Sequence, residues 1–177
     1  MRYVIVCVVE GEAGEYNHAL KKGILDKWKI KSSKLPAHFT IKAPFEYDGD
    51  IYELEDLLET FCKREKAGSF RLEGYDHFDK RVIYMKVNMS EQGKLVHDRL
   101  IDEMMNVPYL DFMRHDGKDK IFHVTVASKK LTPVYEEVWN YVHNYPYQFE
   151  CYFNNICIYE WQQNTWKLHR YYRLAQD

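Results

Sequence analysis

Residues 38–41 read His38-Phe39-Thr40-Ile41, and a matching stretch, His123-Val124-Thr125-Val126, follows in the second half of the chain. Both have the form His-x-Thr-x, with apolar residues at the x positions. Successive side chains of a β-strand point to opposite faces of the sheet. Each stretch therefore predicts a strand that presents its histidine and threonine on one face and buries its apolar pair on the other.

Around the two motifs, hydrophobic periodicity and turn residues predict the order β-α-β-α-β-β-α-β-α-β-β. In each half, a short motif strand is followed by a helix and then by a two-strand hairpin, so the order of elements repeats. The predicted strands are Arg2–Val9, Ala37–Ala43, Phe70–Phe78, Val82–Val87, Ile121–Ala127, Tyr147–Trp161 and Trp166–Leu174, and the predicted helices are Glu15–Trp28, Ile51–Lys66, Ser90–Met105 and Thr132–Asn144.

Three local signals set predicted element ends. Pro44 is expected to end the first motif strand, because proline cannot donate to a strand ladder. Asp50 is expected to cap the second helix, since a carboxylate can accept the free N–H groups of a first turn. Thr132-Pro133 is expected to open the fourth helix, with proline in its first turn.

Composition limits the classes of function. The chain has 177 residues, enough for one sizeable core or two small lobes, and 46% of them are hydrophobic. Its 25 basic and 27 acidic residues give a net charge of −2, which argues against a protein that coats long DNA or RNA. The longest apolar run, Val4 to Val9, is too short to span a bilayer. No signal-peptide pattern precedes the first strand, so we expect a cytoplasmic protein without a membrane partner.

Several familiar kinds of catalytic site have no signature in this sequence. The four cysteines form no Cys-x-x-Cys pair, and most lie in apolar strands, which indicates buried thiols in a reducing compartment. There is no His-Glu-x-x-His zinc motif, no glycine-rich phosphate loop and no Gly-x-Ser-x-Gly nucleophile elbow. We therefore expect neither a metal nor an organic cofactor.

The paired motifs, the first of them within Leu35-Pro36-Ala37-His38-Phe39-Thr40-Ile41, resemble those of the 2H phosphoesterase superfamily, which includes 2′-5′ RNA ligase-like proteins and cyclic phosphodiesterases. The segment from His38 to Glu46 is similar to a bacterial branch of phosphoesterase-like proteins. The resemblance spans essentially residues 1–177 and implies a single α+β domain. It would be bilobal, with two pseudo-symmetric lobes whose antiparallel sheets face a central groove.

The motif residues suit phosphodiester chemistry. Cleavage needs a base, an acid and donors for the non-bridging oxygens, and histidine can serve both proton roles near neutral pH. The resemblance likewise implies that His38, Thr40, His123 and Thr125 are the catalytic residues. Which histidine is the base stays open, since the roles exchange with the direction of reaction.

Further residues near the motifs are candidates for binding the substrate. Lys42 and Lys129 would continue the polar faces of the two motif strands, and Tyr159 could stack on a base. Ordinary solvated lysines and sheet-packing aromatics are the alternatives. Additional local positive charge comes from Lys31, Lys34, Lys118 and Lys120.

The sequence therefore predicts a metal-independent phosphoesterase that hydrolyses or reversibly forms a 2′,3′-cyclic or 2′-5′ phosphodiester. The expected partner is a small nucleotide or an RNA end, and a monomer is compatible with the sequence. A non-catalytic RNA- or nucleotide-binding module on the same fold is the alternative, although binding alone would not require both imidazoles.

Overall fold

The two motif strands lie at the edges of two different antiparallel sheets. The computed structural model describes residues 1–176 and confirms an α+β fold with four α-helices. The sheet orders are β2-β1-β7-β8 and β5-β4-β3-β6. The strands are β1 (Arg2–Val8), β2 (His38–Glu46), β3 (Gly68–Phe78), β4 (Val82–Met89), β5 (His123–Ala127), β6 (Gln148–Phe153), β7 (Asn155–Gln162) and β8 (Thr165–Arg173), and the helices are α1 (Gly11–Trp28), α2 (Tyr52–Arg64), α3 (Glu91–Met104) and α4 (Tyr135–Val142).

The hairpin that follows each motif in sequence joins the sheet of the other motif. Strands β3 and β4 follow the first motif but lie in the sheet of β5, where β4 pairs with β5, whereas β7 and β8 follow the second motif and lie in the sheet of β1 and β2, where β7 pairs with β1. The edge strands β2 and β5 then contact each other. This exchange brings the two sheets, and the two motifs, to a common boundary.

Alternation along the motif strands agrees with the prediction from sequence. Phe39 and Ile41 are fully buried in the main core, and Val124 and Val126 are 1% exposed. The main core contains residues of both sheets and of all four helices. A smaller apolar cluster covers the opposite face of the first sheet and consists of Val4, Val6, Leu35, Cys157 and Tyr159.

Two strand predictions were wrong. Strand β2 continues through Pro44 to Glu46, because it is an edge strand and the pairing with β1 shifts register next to the proline. The predicted strand Tyr147–Trp161 is two strands interrupted at Asn154, and these strands lie in different sheets.

The helix signals were only partly correct. Helix α1 starts at Gly11, whose φ of +70° lets the chain turn directly out of β1. Ile51, not Asp50, occupies the N-cap position of α2, and Thr132-Pro133 forms a short 3-10 turn before α4. Ser90 does cap α3 by accepting a hydrogen bond from the Gly93 N–H.

No helix in residues 1–176 is long and apolar enough to cross a membrane.

Candidate active site

The two motifs meet at a cavity of about 610 Å³ between the sheets. Thr40 from β2 and His123 from β5 both line it. His38 and Thr125 lie on the same faces of these strands, and all four side chains are partly buried. The charge of a protonated His123 also acts on His38. The structure thus brings the four predicted residues together at one boundary.

The two histidines are held in the same way. His38 Nδ1 lies 2.7 Å from the carbonyl oxygen of Pro36, and His123 Nδ1 lies 2.9 Å from that of Ile121. A carbonyl oxygen only accepts, so each Nδ1 carries the hydrogen and donates it. In the neutral ring, Nε2 is then an unprotonated acceptor. Each motif therefore orients its imidazole through the residue two positions earlier and leaves Nε2 for chemistry.

Burial favours the neutral form of both rings. Desolvation, the largest effect, lowers the pKa of His38 to about 4, although its bond to Pro36 opposes the shift and the Lys21 and His123 charges add to it. Desolvation also lowers the pKa of His123, again opposed by the Ile121 carbonyl and reinforced by Lys120. A phosphate bound between the rings would oppose both shifts, because an anion stabilises an imidazolium.

Aromatic rings support His123 from its own sheet. The Phe78 ring meets the imidazole edge-on, with centroids 4.9 Å apart, and the Tyr84 ring lies 5.2 Å away. Tyr84 pairs with Thr125 in the strand register. Phe78 also lines the cavity, together with Ile121 and Phe122, so part of its wall is apolar.

The segment between α3 and β5 closes one side of this cavity through two contacts with β2. Asp116 accepts hydrogen bonds from Lys42 Nζ and from the Ala43 N–H, each at 3.0 Å. Lys120 Nζ donates to the carbonyl oxygen of Ile41 and lines the cavity. Burial lowers the pKa of Lys120 to about 8, partly opposed by Asp116. Of the lysines noted near the motifs in the sequence, Lys120 lines this cavity, and its charge acts on His123.

The three predicted substrate-binding residues have different surroundings. Lys42 is 2% exposed and forms a buried ion pair with Asp116, so its contacts do not match those expected of a substrate ligand. The strand register puts Tyr159 on the same sheet face as Thr40, but its ring is only 9% exposed. Lys129 is exposed and lines a separate cavity.

Two buried asparagines, which sequence reasoning missed, hold the backbone of the second motif strand and of the strand that pairs with the first. The Asn155 side chain accepts from the Val8 N–H and donates to the Val8 carbonyl, each at 2.9 Å, and Val8 is the register partner of His38. Asn17 Nδ2 donates to the carbonyl of Thr125 at 3.1 Å. Each asparagine occupies a position of a helix or strand where an apolar residue is expected. That pattern could have indicated their role, since a buried amide needs hydrogen-bond partners.

Comparison with known proteins agrees with this architecture. The crystal structure of TT0787 from Thermus thermophilus superimposes with a TM-score of 0.61 at 14% identity and covers 98% of both chains. That of E. coli LigT complexed with 3′-AMP gives a TM-score of 0.61 at 12% identity, covering 99% of this chain and 98% of LigT. A structure described as a phosphoesterase gives 0.59 at 10% identity, covering 99% of this chain and 98% of the other. At these identities the likeness shows the fold.

Sequence comparison gives the family directly. No curated protein sequence matches the chain significantly. The model of the 2′-5′ RNA ligase superfamily matches residues 18–165, which include both motifs and most of the chain. The chain therefore belongs to the 2′-5′ RNA ligase superfamily, the 2H phosphoesterases.

Proposed function

We propose that this protein is a metal-independent phosphoesterase that hydrolyses, or reversibly forms, a 2′,3′-cyclic or 2′-5′ phosphodiester of RNA or a small nucleotide. One observation carries the proposal. Two His-x-Thr-x strands from different sheets meet at one cavity, and each histidine uses Nδ1 for a backbone carbonyl and keeps Nε2 free. A pair of imidazoles held in this way is suited to general acid and base catalysis.

For a 2′,3′-cyclic phosphate, the neutral histidine accepts a proton from water at Nε2 as the water oxygen bonds to phosphorus. The protonated histidine gives its Nε2 proton to the ribose oxygen as the phosphorus–oxygen bond breaks. The products are a phosphomonoester and a free hydroxyl group. In the reverse direction, the same groups would join a ribose hydroxyl to a cyclic phosphate with their roles exchanged.

Charge that develops on the non-bridging oxygens needs donors. The hydroxyls of Thr40 and Thr125 share strand faces with the histidines and would supply hydrogen bonds there. The Lys120 ammonium, on the wall of the same cavity, would supply positive charge. We assign Lys42 a positioning role through Asp116, and Tyr159 a place in the apolar floor beneath the first motif.

A small nucleotide is the simplest substrate that fits this site. The cavity of about 610 Å³ falls within the usual range for small-molecule sites. Its apolar wall, formed by Phe78, Ile121 and Phe122, offers a surface for a base or a ribose. The related fold of LigT was crystallised with 3′-AMP, a nucleotide of this size.

The test is hydrolysis of 2′,3′-cyclic nucleotides, and of a short RNA ending in a cyclic phosphate, with EDTA present. Wild-type protein should turn over at least one of them, whereas His38→Ala and His123→Ala should each lose about 10²-fold or more in kcat. His143→Ala is the matched control, because His143 is exposed at the end of α4 and does not line the cavity.

Two results would contradict the proposal. One is a strict requirement for an added divalent metal, and the other is retained activity in either motif variant. Equal binding of a cyclic phosphate by wild-type protein and by a variant lacking both histidines, without turnover by either, would instead support the non-catalytic binding module.

A further inference from the structure

A second cavity, of about 570 Å³, carries an unusual concentration of positive charge. We call it the lysine cleft. No aspartate or glutamate is found among the described residues that line it, although the whole chain has a net charge of −2. Its lysines are Lys21 and Lys22 of α1, Lys31 and Lys34 of the segment before β2, and Lys129 after β5.

The lysine cleft borders the candidate active site on the side of His38. Lys21 is partly buried in its wall and donates a hydrogen bond to the Leu35 carbonyl at 3.3 Å, three residues before His38. The charge of Lys21 is close enough to lower the pKa of His38. The reaction cavity is lined by Thr40 and His123. The lysine cleft thus lies beside the first motif, whose Thr40 lines the reaction cavity.

Some lysines of the cleft lack a protein counter-charge. Within residues 1–176, neither Lys31 nor Lys129 forms an ion pair or a side-chain hydrogen bond. Lys22 is paired with Asp26 at 2.8 Å on the exposed surface of α1. Burial lowers the pKa of Lys21. Unpaired ammonium groups gathered in a concave surface favour an anionic ligand.

An aromatic pair of the β7–β8 hairpin lies beside one lysine of the cleft. Lys34 donates to the Asn164 carbonyl at the turn between β7 and β8, and its Nζ lies 5.7 Å from the centre of the Trp161 ring. Trp161 meets Trp166 edge-on with centroids 5.1 Å apart. Cationic grooves combined with aromatic side chains are typical of proteins that bind single-stranded nucleic acids.

We propose that the lysine cleft binds the phosphates of a single-stranded RNA whose terminal phosphodiester reacts at the motif pair. This inference rests on the proposed function and refines its substrate class, because a strand of several phosphates would use both cavities and a mononucleotide only one. Lys31 and Lys129 are the principal phosphate ligands. The negative net charge of the chain matches a short contact with one strand end, not the coating of a long duplex.

Binding of reaction products tests this proposal without turnover. We would measure the affinity of a 3′-phosphorylated mononucleotide and of a 3′-phosphorylated oligoribonucleotide of about six residues at several salt concentrations. The oligonucleotide should bind more tightly, and its affinity should fall more steeply with salt. Each additional phosphate contact on a single strand adds about −0.7 to the slope of log K against log salt concentration.

Charge-reversal variants assign the effect to the lysine cleft. Lys31→Glu and Lys129→Glu should each lower the ratio of oligonucleotide to mononucleotide affinity about fivefold or more, since each replaces an attraction by a repulsion. Each should also reduce the magnitude of the salt slope by about 0.7. Lys63→Glu is the matched control, because it changes the net charge equally at an exposed position on α2 and should leave the ratio unchanged.

Equal affinity and equal salt slope for the mononucleotide and the oligonucleotide would overturn the inference, as would an equal effect of Lys31→Glu and Lys63→Glu. Failure of the proposed function is a separate result, namely no turnover of any cyclic phosphate by the wild-type protein. Turnover of a cyclic mononucleotide without tighter binding of the oligonucleotide would support the proposed function and contradict the role of the lysine cleft.

Discussion

The Nζ of Lys42 lies 3.0 Å from Oδ2 of Asp116, and each of the two side chains is only 3% exposed. This ion pair ties the segment before β5 to the first motif strand. Asp116 also accepts from the Ala43 N–H, so one carboxylate holds both the side chain and the backbone of β2. The wall of the reaction cavity, which includes Asp116, depends on this contact.

Removing one partner of this pair should be costly. Asp116→Ala leaves a buried ammonium group without its counter-charge, and we expect a loss of about 3–5 kcal/mol in the free energy of unfolding, measured in urea. Catalytic efficiency should fall as well, because the cavity wall loses its attachment. Glu59→Ala, which breaks an exposed pair with Lys63, should cost about 0.5 kcal/mol or less. A loss of less than about 1 kcal/mol in Asp116→Ala would contradict the structural role.

The pH dependence of kcat/KM should have its maximum below pH 6.5. One imidazole must be neutral and the other protonated, and the pKa values of both histidines are lowered from 6.5, that of His38 to about 4. Below the lower pKa the base becomes protonated, and above the higher pKa the acid loses its proton, so the rate falls on both sides. Ring titration by NMR would check this in the free protein, and a His38 midpoint at or above 6.5 would contradict it.

Substrate binding should weaken at alkaline pH, because Lys120 then loses its positive charge. Its pKa is lowered to about 8, so its positive charge is lost as the pH rises through this value. We expect KM for an anionic substrate to increase about tenfold in Lys120→Met at pH 7, because the variant loses about one hydrogen bond to a charged group.

Lys120→Arg should retain a low KM above pH 8, because arginine stays protonated. Lys118→Met, at an exposed pair with Asp102, is the control. An unchanged KM in Lys120→Met would refute the assignment.

The free energy of unfolding should fall in acid, partly because His97 is buried in its neutral form. Its fully buried ring packs against Phe122, and burial lowers its pKa to about 4. Between pH 6.5 and 4, the unfolded chain binds a proton that the folded chain does not, so stability is lost as the pH falls through this window. The titration of His97 alone should lower the free energy of unfolding by up to about 3 kcal/mol over this pH range.

The corresponding experiment compares urea unfolding at pH 7 and pH 4.5. Wild-type protein should lose more stability between these two pH values than His97→Leu, in which the titrating group is absent. His143→Leu, at an exposed position, should follow wild type. An identical loss in wild type and His97→Leu would show that His97 does not contribute.

Much of the candidate site could be predicted from local sequence, because a strand has a period of two. The burial of Phe39 and Val124, and the common face of His38 and Thr40, follow from that period. Position along the strand did not predict the surroundings of Lys42. An ammonium two residues beyond Thr40 is expected to be solvated, but Asp116 approaches it from a distant segment and permits burial.

Local sequence is sufficient to predict the α+β class, the paired motifs and the alternation that separates their polar and apolar faces, because these depend on residues that are neighbours along the chain. Which hairpin joins the sheet of which motif becomes evident only from the packing of segments that are distant in sequence. Strands β3 and β4 lie in the sheet of β5, and β7 and β8 lie in the sheet of β1 and β2, so each half of the repeat completes the sheet of the other. Strand pairing is set by hydrogen bonds between distant segments and by closure of a shared core, which no local pattern specifies. That pairing brings His38 and His123 to one boundary.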